Sequence, residues 1–296
     1  MRILRRLERP RALVLLYHRV APREAPDPYG QAVAPETFAS HLEHLRRAYH
    51  VEALDRLVGQ LPEGLHRDGT VAVSFDDGYA DNLTRAYPIA AEQAVPMTVF
   101  VTVQPVLDRA PFWWDDLVSR LGTPLDRRRY VALHDRLRQL PDDERRGRLD
   151  ALGPASEVDP EARPLTVTEL QELTALPGVA VGAHTLTHPV LASLPPDGQL
   201  RELQDSRVRL EGLVGRPVEL LAYPFGKRHD ISRQTRRLAR SAGYAAAFTS
   251  TARAITPSSP RYGLGRLSVH EWPEPEFARR VAACFRPGAS MGLDRT

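Results

Sequence analysis

Seven short apolar runs recur along the chain: Ala12–Tyr17, Val71–Phe75, Met97–Val103, Val179–Ala183, Val218–Tyr223, Ala245–Phe248 and Leu267–Val269. Most are apolar throughout rather than alternating with polar residues, the pattern of strands covered on both faces in a parallel sheet. Helical periodicity fills the intervals. Pro35–Tyr49 opens on proline and carries Phe38, Leu42 and Leu45 on one face. Asp197–Val214 carries Leu200, Leu203, Leu210 and Leu213 and ends before Gly215, and Ser232–Ala242 stops at Gly243. This alternation predicts an α/β fold, either a barrel or an open sheet. The rhythm breaks over Gln104–Leu165, a long, Arg/Asp-rich and helix-prone stretch. Strands resume after it, so it reads as a helical insertion at about 104–165 within a single domain spanning 1–296. Trp113 and Trp114 at its start would either floor a sugar site or anchor the insertion to the sheet, and anchoring is the plainer expectation for each.

Bulk properties narrow the function. Hydrophobic residues make up 42% and charged residues 26%, ordinary values for a globular protein. The net charge is +3 with both signs interspersed, and no arginine stripe interleaves with aromatics, which argues against a nucleic-acid partner. The single cysteine, Cys284, excludes an internal disulfide and a cysteine-based metal cluster; within "FARRVAACF" it reads as a buried structural thiol. No stretch approaches the ~20 apolar residues of a membrane span. The opening "MRILRRLERPRALVLLYHRV" has too short an apolar run for a leader core of ~7–15 residues and no small-residue cleavage site, so a cytoplasmic location is expected. Peripheral contact with an anionic membrane surface stays open. The closing "RPGASMGLDRT" is expected to fray.

Polar residues gather where the apolar runs end. "LVLLYH" ends in His18, "VAVSFDD" in Asp76 and Asp77, "VAVGAHTLTH" in His184 and His188, and "VELLAYPFG" in a Tyr-Pro-Phe-Gly turn. Catalytic groups of α/β folds collect at the carboxyl ends of parallel strands, so residues distant in sequence would converge there. The i, i+4 spacing of His184 and His188, directly after a strand, puts two imidazoles on one side. With one carboxylate they form a ligand set that leaves positions open for water and substrate, suited to Zn²⁺ or another divalent metal. If Asp77 binds the metal, its charge is neutralised and Asp76 stays ionised as a general base. Gly78 lets the backbone turn closely there. An Asp-Asp-Gly turn capping the next helix is the plain alternative; it explains either carboxylate but not the histidine pair.

The motifs "SFDDG", "HTLTH" and "AYPFG" resemble the first three motifs of the polysaccharide deacetylases, the metal-dependent carbohydrate esterase group related to the nodulation-factor chitooligosaccharide deacetylases. The likeness extends over most of Ala12–Val269 outside the insertion. With its N-terminal "LLYHRV", the chain looks nearest the poly-N-acetylglucosamine deacetylase branch, whose motif order is circularly permuted. This resemblance implies a distorted (β/α) barrel with about seven parallel strands. It implies a zinc-dependent or other divalent-metal-dependent hydrolase that removes N-acetyl groups from an amino-sugar-containing glycan or glycolipid intermediate. It assigns Asp76 as catalytic base, Asp77, His184 and His188 as metal ligands, the Phe225 N–H to an oxyanion hole, and His18 as general acid, with His270 as the rival acid. One departure stands out. The family's third motif often carries an arginine that orients the base, and Ala222 holds that position here; Arg19 is the candidate to replace it in part. The alternatives are a metal-dependent amidase acting on a small non-sugar amide, a non-catalytic glycan-binding relative and, last, a metal-free α/β domain.

Overall fold

A computed structural model describes residues 12–286 except 24–26, 29, 62–66, 123, 157–160 and 257. The N-terminal segment read for a leader and the tail expected to fray lie outside the described residues. Ten strands appear among the described residues: β1 (Ala12–Tyr17), β2 (Arg19–Val20), β3 (Ala32–Val33), β4 (His50–Val51), β5 (Thr70–Phe75), β6 (Met97–Val101), β7 (Val179–Ala183), β8 (Leu220–Ala222), β9 (Ala246–Phe248) and β10 (Leu267–Ser268). Seven of them run in the order β10-β1-β5-β6-β7-β8-β9, every pairing parallel. The short β4 adds to β5, and β2 and β3 form a separate pair. A parallel bridge between Phe248 and Leu264 brings the segment before β10 against β9. The two ends of the path thereby meet, and the sheet curls into the distorted barrel that the alternation predicted.

Strand parity separates the two sides of this barrel. One set of residues, with Leu13, Leu15, Val71, Val73, Phe75 and Val99, packs outward against Phe38, Leu42, Leu170, Leu203 and Phe277 of the surrounding helices. The other set, with Ala12, Val14, Ala72, Phe100, Leu220, Ala222 and Phe248, fills the interior. Phe100 and Phe248 are the largest of the strand residues inside, and Gly182 on the strand beside Phe100 makes room for its ring. A Cβ on Gly182 would lie 2.5 Å from the Phe100 ring. Burying a ring of this size is worth about 1.5–3 kcal/mol.

The apolar runs and the strands coincide, with trimmed ends. The run at Met97–Val103 stops as a strand at Val101, and Val103 opens a helix; β8 is shorter than Val218–Tyr223. The expected helices appear as Pro35–Ala48, Pro196–Val214 and Arg233–Ser241, the last followed by Gly243 with φ 87°. Residues 104–165 carry the helices Trp113–Leu121, Arg127–Leu137 and Asp142–Asp150. They share a core of Phe112, Trp113, Trp114, Leu117, Tyr130, Leu137 and Leu149 with Tyr79 of the barrel, so both tryptophans anchor this segment. Cys284 is buried in the main core, where desolvation pushes its thiol up to about 11. No helix among the described residues is long and apolar enough to cross a membrane.

Candidate metal and catalytic site

Asp76 continues the inward parity of Ala72 and Ser74 at the end of β5, while Asp77 turns sharply away from the strand. Asp77 has φ 71° and Gly78 φ 85°. Aspartate tolerates this left-handed region better than most residues, and glycine enters it freely. The turn is held by Thr102 N–H on the Asp77 carbonyl at 3.0 Å and Leu165 N–H on the Gly78 carbonyl at 2.9 Å.

The two adjacent carboxylates, both buried, have opposite surroundings. Asp76 is gripped by the fully buried Arg266, whose Nη1 and Nη2 each donate at 2.6 Å to one carboxylate oxygen. Arg266 lies inside the barrel over the Phe100 ring, at 5.3 Å, and its Nε donates to the Thr249 carbonyl at 3.2 Å. Burial pushes the Asp76 carboxyl up, but the Arg266 charge and the neighbouring His184 outweigh it and leave the pKa below its ordinary value. Asp77 has no such cation. Its Oδ1 is buried without a hydrogen-bond partner, and burial leaves its pKa raised.

Two imidazoles face that orphan oxygen. His184 follows β7, and its Nδ1 donates to the Ala222 carbonyl at 2.9 Å, which leaves the Nε2 lone pair pointing at Asp77 Oδ1, 3.5 Å away. His188 Nε2 lies 3.4 Å from the same oxygen. The His188 ring packs against Phe225 at 4.8 Å and Trp114 at 4.5 Å. Burial, followed by the charge of Arg145, pulls His188 down to about 3, so the ring is neutral. A neutral imidazole is the form that ligates metal. Asp77, His184 and His188 together offer three ligand atoms within 4.8 Å of one another.

His18, at the end of β1, lies in the field of both aspartates; burial lowers its pKa and the two carboxylates oppose that shift. Its carbonyl is held by Asn82 Nδ2 at 2.9 Å. Phe225 adopts φ 60°, a costly conformation for a bulky residue, and its carbonyl accepts from Ser250 Oγ at 2.5 Å. Its N–H has no partner among the described residues. His270 is turned to other work: its Nδ1 sits 2.6 Å from the Gly30 carbonyl. Arg19 is not the arginine bonded to Asp76. Its Nε donates to the fully buried Asp81 at 2.8 Å, and its guanidinium lies over Tyr79 at 5.0 Å. Arg266 takes that place instead. The available signal was an arginine heading the apolar run of "GRLSV", where a charge has no reason to be without a buried partner.

A family model described as polysaccharide deacetylase matches residues 64–247, more than half of the chain. Over 199 residues the chain is 21% identical to YxkH of Bacillus subtilis (strain 168), an alignment that covers 67% of this chain and 51% of YxkH. The chain thus spans about half the length of that curated relative. Among solved structures it is similar to the Streptococcus pyogenes deacetylase PplD, solved in complex with acetate, with TM-score 0.66 and 18% identity over 92% of this chain and 98% of that one. It is similar to IcaB from Ammonifex degensii, with TM-score 0.64 and 20% identity over 93% and 98%. A de-N-acetylase from Aggregatibacter actinomycetemcomitans gives TM-score 0.64 and 17% identity over 91% and 99%. At these identities the likeness to solved structures shows the fold.

Proposed function

Because the chain belongs to the polysaccharide deacetylase family, we propose that it is a metal-dependent hydrolase removing N-acetyl groups from an amino-sugar-containing glycan or glycolipid intermediate. The observation that carries this reading is the orphan Asp77 Oδ1, buried and faced by two histidine Nε2 atoms at 3.4 and 3.5 Å. Ligands about 2.1 Å from a tetrahedral ion lie roughly 3.4 Å apart, so these spacings fit a zinc-sized divalent cation with one position left for substrate or water. When bound, such an ion supplies Lewis-acid chemistry, polarising an acyl oxygen and acidifying water.

The chain's own groups divide the remaining tasks. Asp76, kept ionised and aligned by Arg266, accepts the proton of the attacking water. The Phe225 N–H, free of other bonds among the described residues, donates to the oxyanion as the carbonyl becomes tetrahedral. His18 delivers a proton to the departing nitrogen, which is a very poor leaving group without it. Trp114 and Phe225 wall the His188 side and keep water from it.

Acetate release from an N-acetylglucosamine oligomer tests this. Chelation is expected to abolish release and added Zn²⁺ or another divalent transition metal to restore it. Release that survives exhaustive chelation would remove the metal from the reaction. Turnover of cyclic amides but not of acetylated amino sugars would assign the site to the small-amide reading.

A further inference from the structure

The loop between the two histidine ligands is strained, and most of the groups that hold it lie outside the motif. Thr185 has φ 67° and His188 φ 59°, both in the left-handed region that non-glycine residues avoid. Such residues are costly and persist only where the surroundings over-determine them. Here every carbonyl of the three intervening residues is claimed. Val103 N–H donates to Thr185 O at 3.2 Å, Gln104 N–H to Leu186 O at 2.8 Å, and Arg145 Nη2 to Thr187 O at 3.1 Å. The amides of Leu186, Thr187 and His188 are claimed as well. Glu202 Oε2 accepts from the Leu186 and Thr187 N–H groups at 2.9 and 3.0 Å, its Oε1 accepts from Thr187 Oγ1 at 2.7 Å, and His188 N–H donates to Thr185 Oγ1 at 3.2 Å.

We propose that Glu202 and Arg145 form a clasp that positions His188 for metal binding, Glu202 from the helix Pro196–Val214 and Arg145 from the helix Asp142–Asp150. This rests on the metal reading of Asp77, His184 and His188. Glu202 takes three donors on one carboxylate, which sets the direction in which the chain leaves Thr187 and so aims the next residue, His188. Arg145 acts on the Thr187 carbonyl. Its guanidinium, 1% exposed, is fixed by Asp142 Oδ1 at 2.6 Å and lies 5.0 Å over the Trp113 ring. The segment 104–165 thereby reaches the metal site through a positioning residue rather than a ligand. Groups that orient metal ligands typically contribute 10–100-fold to affinity.

The test is the affinity of the full chain for Zn²⁺, read by competition with a chromophoric chelator, together with thermal melting of the metal-free protein. Glu202→Ala is expected to weaken Zn²⁺ binding at least tenfold. Glu202→Gln keeps the shape and one acceptor oxygen and is expected to fall between it and the unaltered chain. Arg145→Met should weaken binding as well. Leu210→Ala removes a fully buried side chain from the same helix as Glu202. It is expected to lower the melting temperature while leaving Zn²⁺ affinity within twofold. Affinity unchanged in folded Glu202→Gln and Glu202→Ala, or weakened equally by Leu210→Ala, overturns the clasp. An unaltered chain that binds no divalent metal overturns the metal reading beneath it, a distinct result.

Discussion

β1 and β10 lie side by side in parallel register, Leu15 opposite Leu267 and Leu16 opposite Ser268, and each is flanked by an arginine and a histidine. Their uses are crossed. β1 is followed by His18, in the field of Asp76 and Asp77, and by Arg19, spent on Asp81. β10 is preceded by Arg266, which holds Asp76 with both outer nitrogens, and followed by His270, bonded to the Gly30 carbonyl. The difference lies in strand parity and depth. Arg266 stands on the interior side, and its guanidinium runs within the barrel past Phe100 to Asp76. Two neighbouring strands flanked by the same residue types therefore converge on Asp76 with one of each, the arginine that precedes β10 and the histidine that follows β1.

Arg266 carries the largest expected effect. Arg266→Met leaves a buried carboxylate without its cation, a loss of about 3–5 kcal/mol when one partner of a buried pair is removed. Turnover should fall about 10²–10³-fold, the range of a displaced catalytic group. The pH dependence gives the sharper reading. Burial raises the Asp76 pKa and Arg266 lowers it, so removing Arg266 lets the raising influence win. The acid limb of kcat/KM should then move to higher pH, because more of the base is protonated at a given pH. Arg266→Lys keeps the charge but not the two parallel bonds, and belongs in between. An acid limb that stays where it was would dissolve the distinction drawn between the two strands.

His18 comes next. His18→Gln is expected to lower amide turnover about 10²–10⁴-fold, the usual scale of a lost general acid. Bound metal should be unchanged, since Asp77, His184 and His188 are untouched. The effect should depend on the leaving group. A nitrophenyl acetate releases an anion that needs no proton, so its hydrolysis should be nearly spared. Equal losses on both substrates would give His18 a role other than proton donor.

Legibility in the sequence followed the distance over which each signal acts. The seven-strand path was readable because strands buried on both faces are apolar residue after residue. β2, β3 and β4 were not, because two residues carry no period. Asp76, Asp77, His184 and His188 were readable because each pair sits within five residues at one strand end. Arg266 was not, since 190 residues separate it from Asp76 and nothing local marks their pairing. Ala222 looked like a loss at the arginine position. In the fold it lines the barrel interior and offers its carbonyl to His184. Glu202 and Arg145 read as ordinary charges on amphipathic helices, and only the folded chain turns them onto the histidine loop.

The weakest effects on turnover belong to the remaining pair, Arg19 and His270, and these test the comparison from its other side. Arg19→Met removes the guanidinium from Asp81, whose carboxyl burial already pushes up to about 7 against the pull of Arg19. Without Arg19 it should rise further and become neutral, retaining the Asn82 Nδ2 contact at 3.2 Å. A loss of about 1–3 kcal/mol follows from the unmade bond, seen as a lower melting temperature. Turnover per folded molecule should stay within a few-fold. His270→Ala deletes one bond to Gly30, about 0.5–1.5 kcal/mol, and should leave turnover within twofold. A larger loss of turnover in His270→Ala than in His18→Gln, with metal retained in both, would reverse the assignment. The acid would then come from β10, and the N-terminal histidine would be only a neighbour of the metal site.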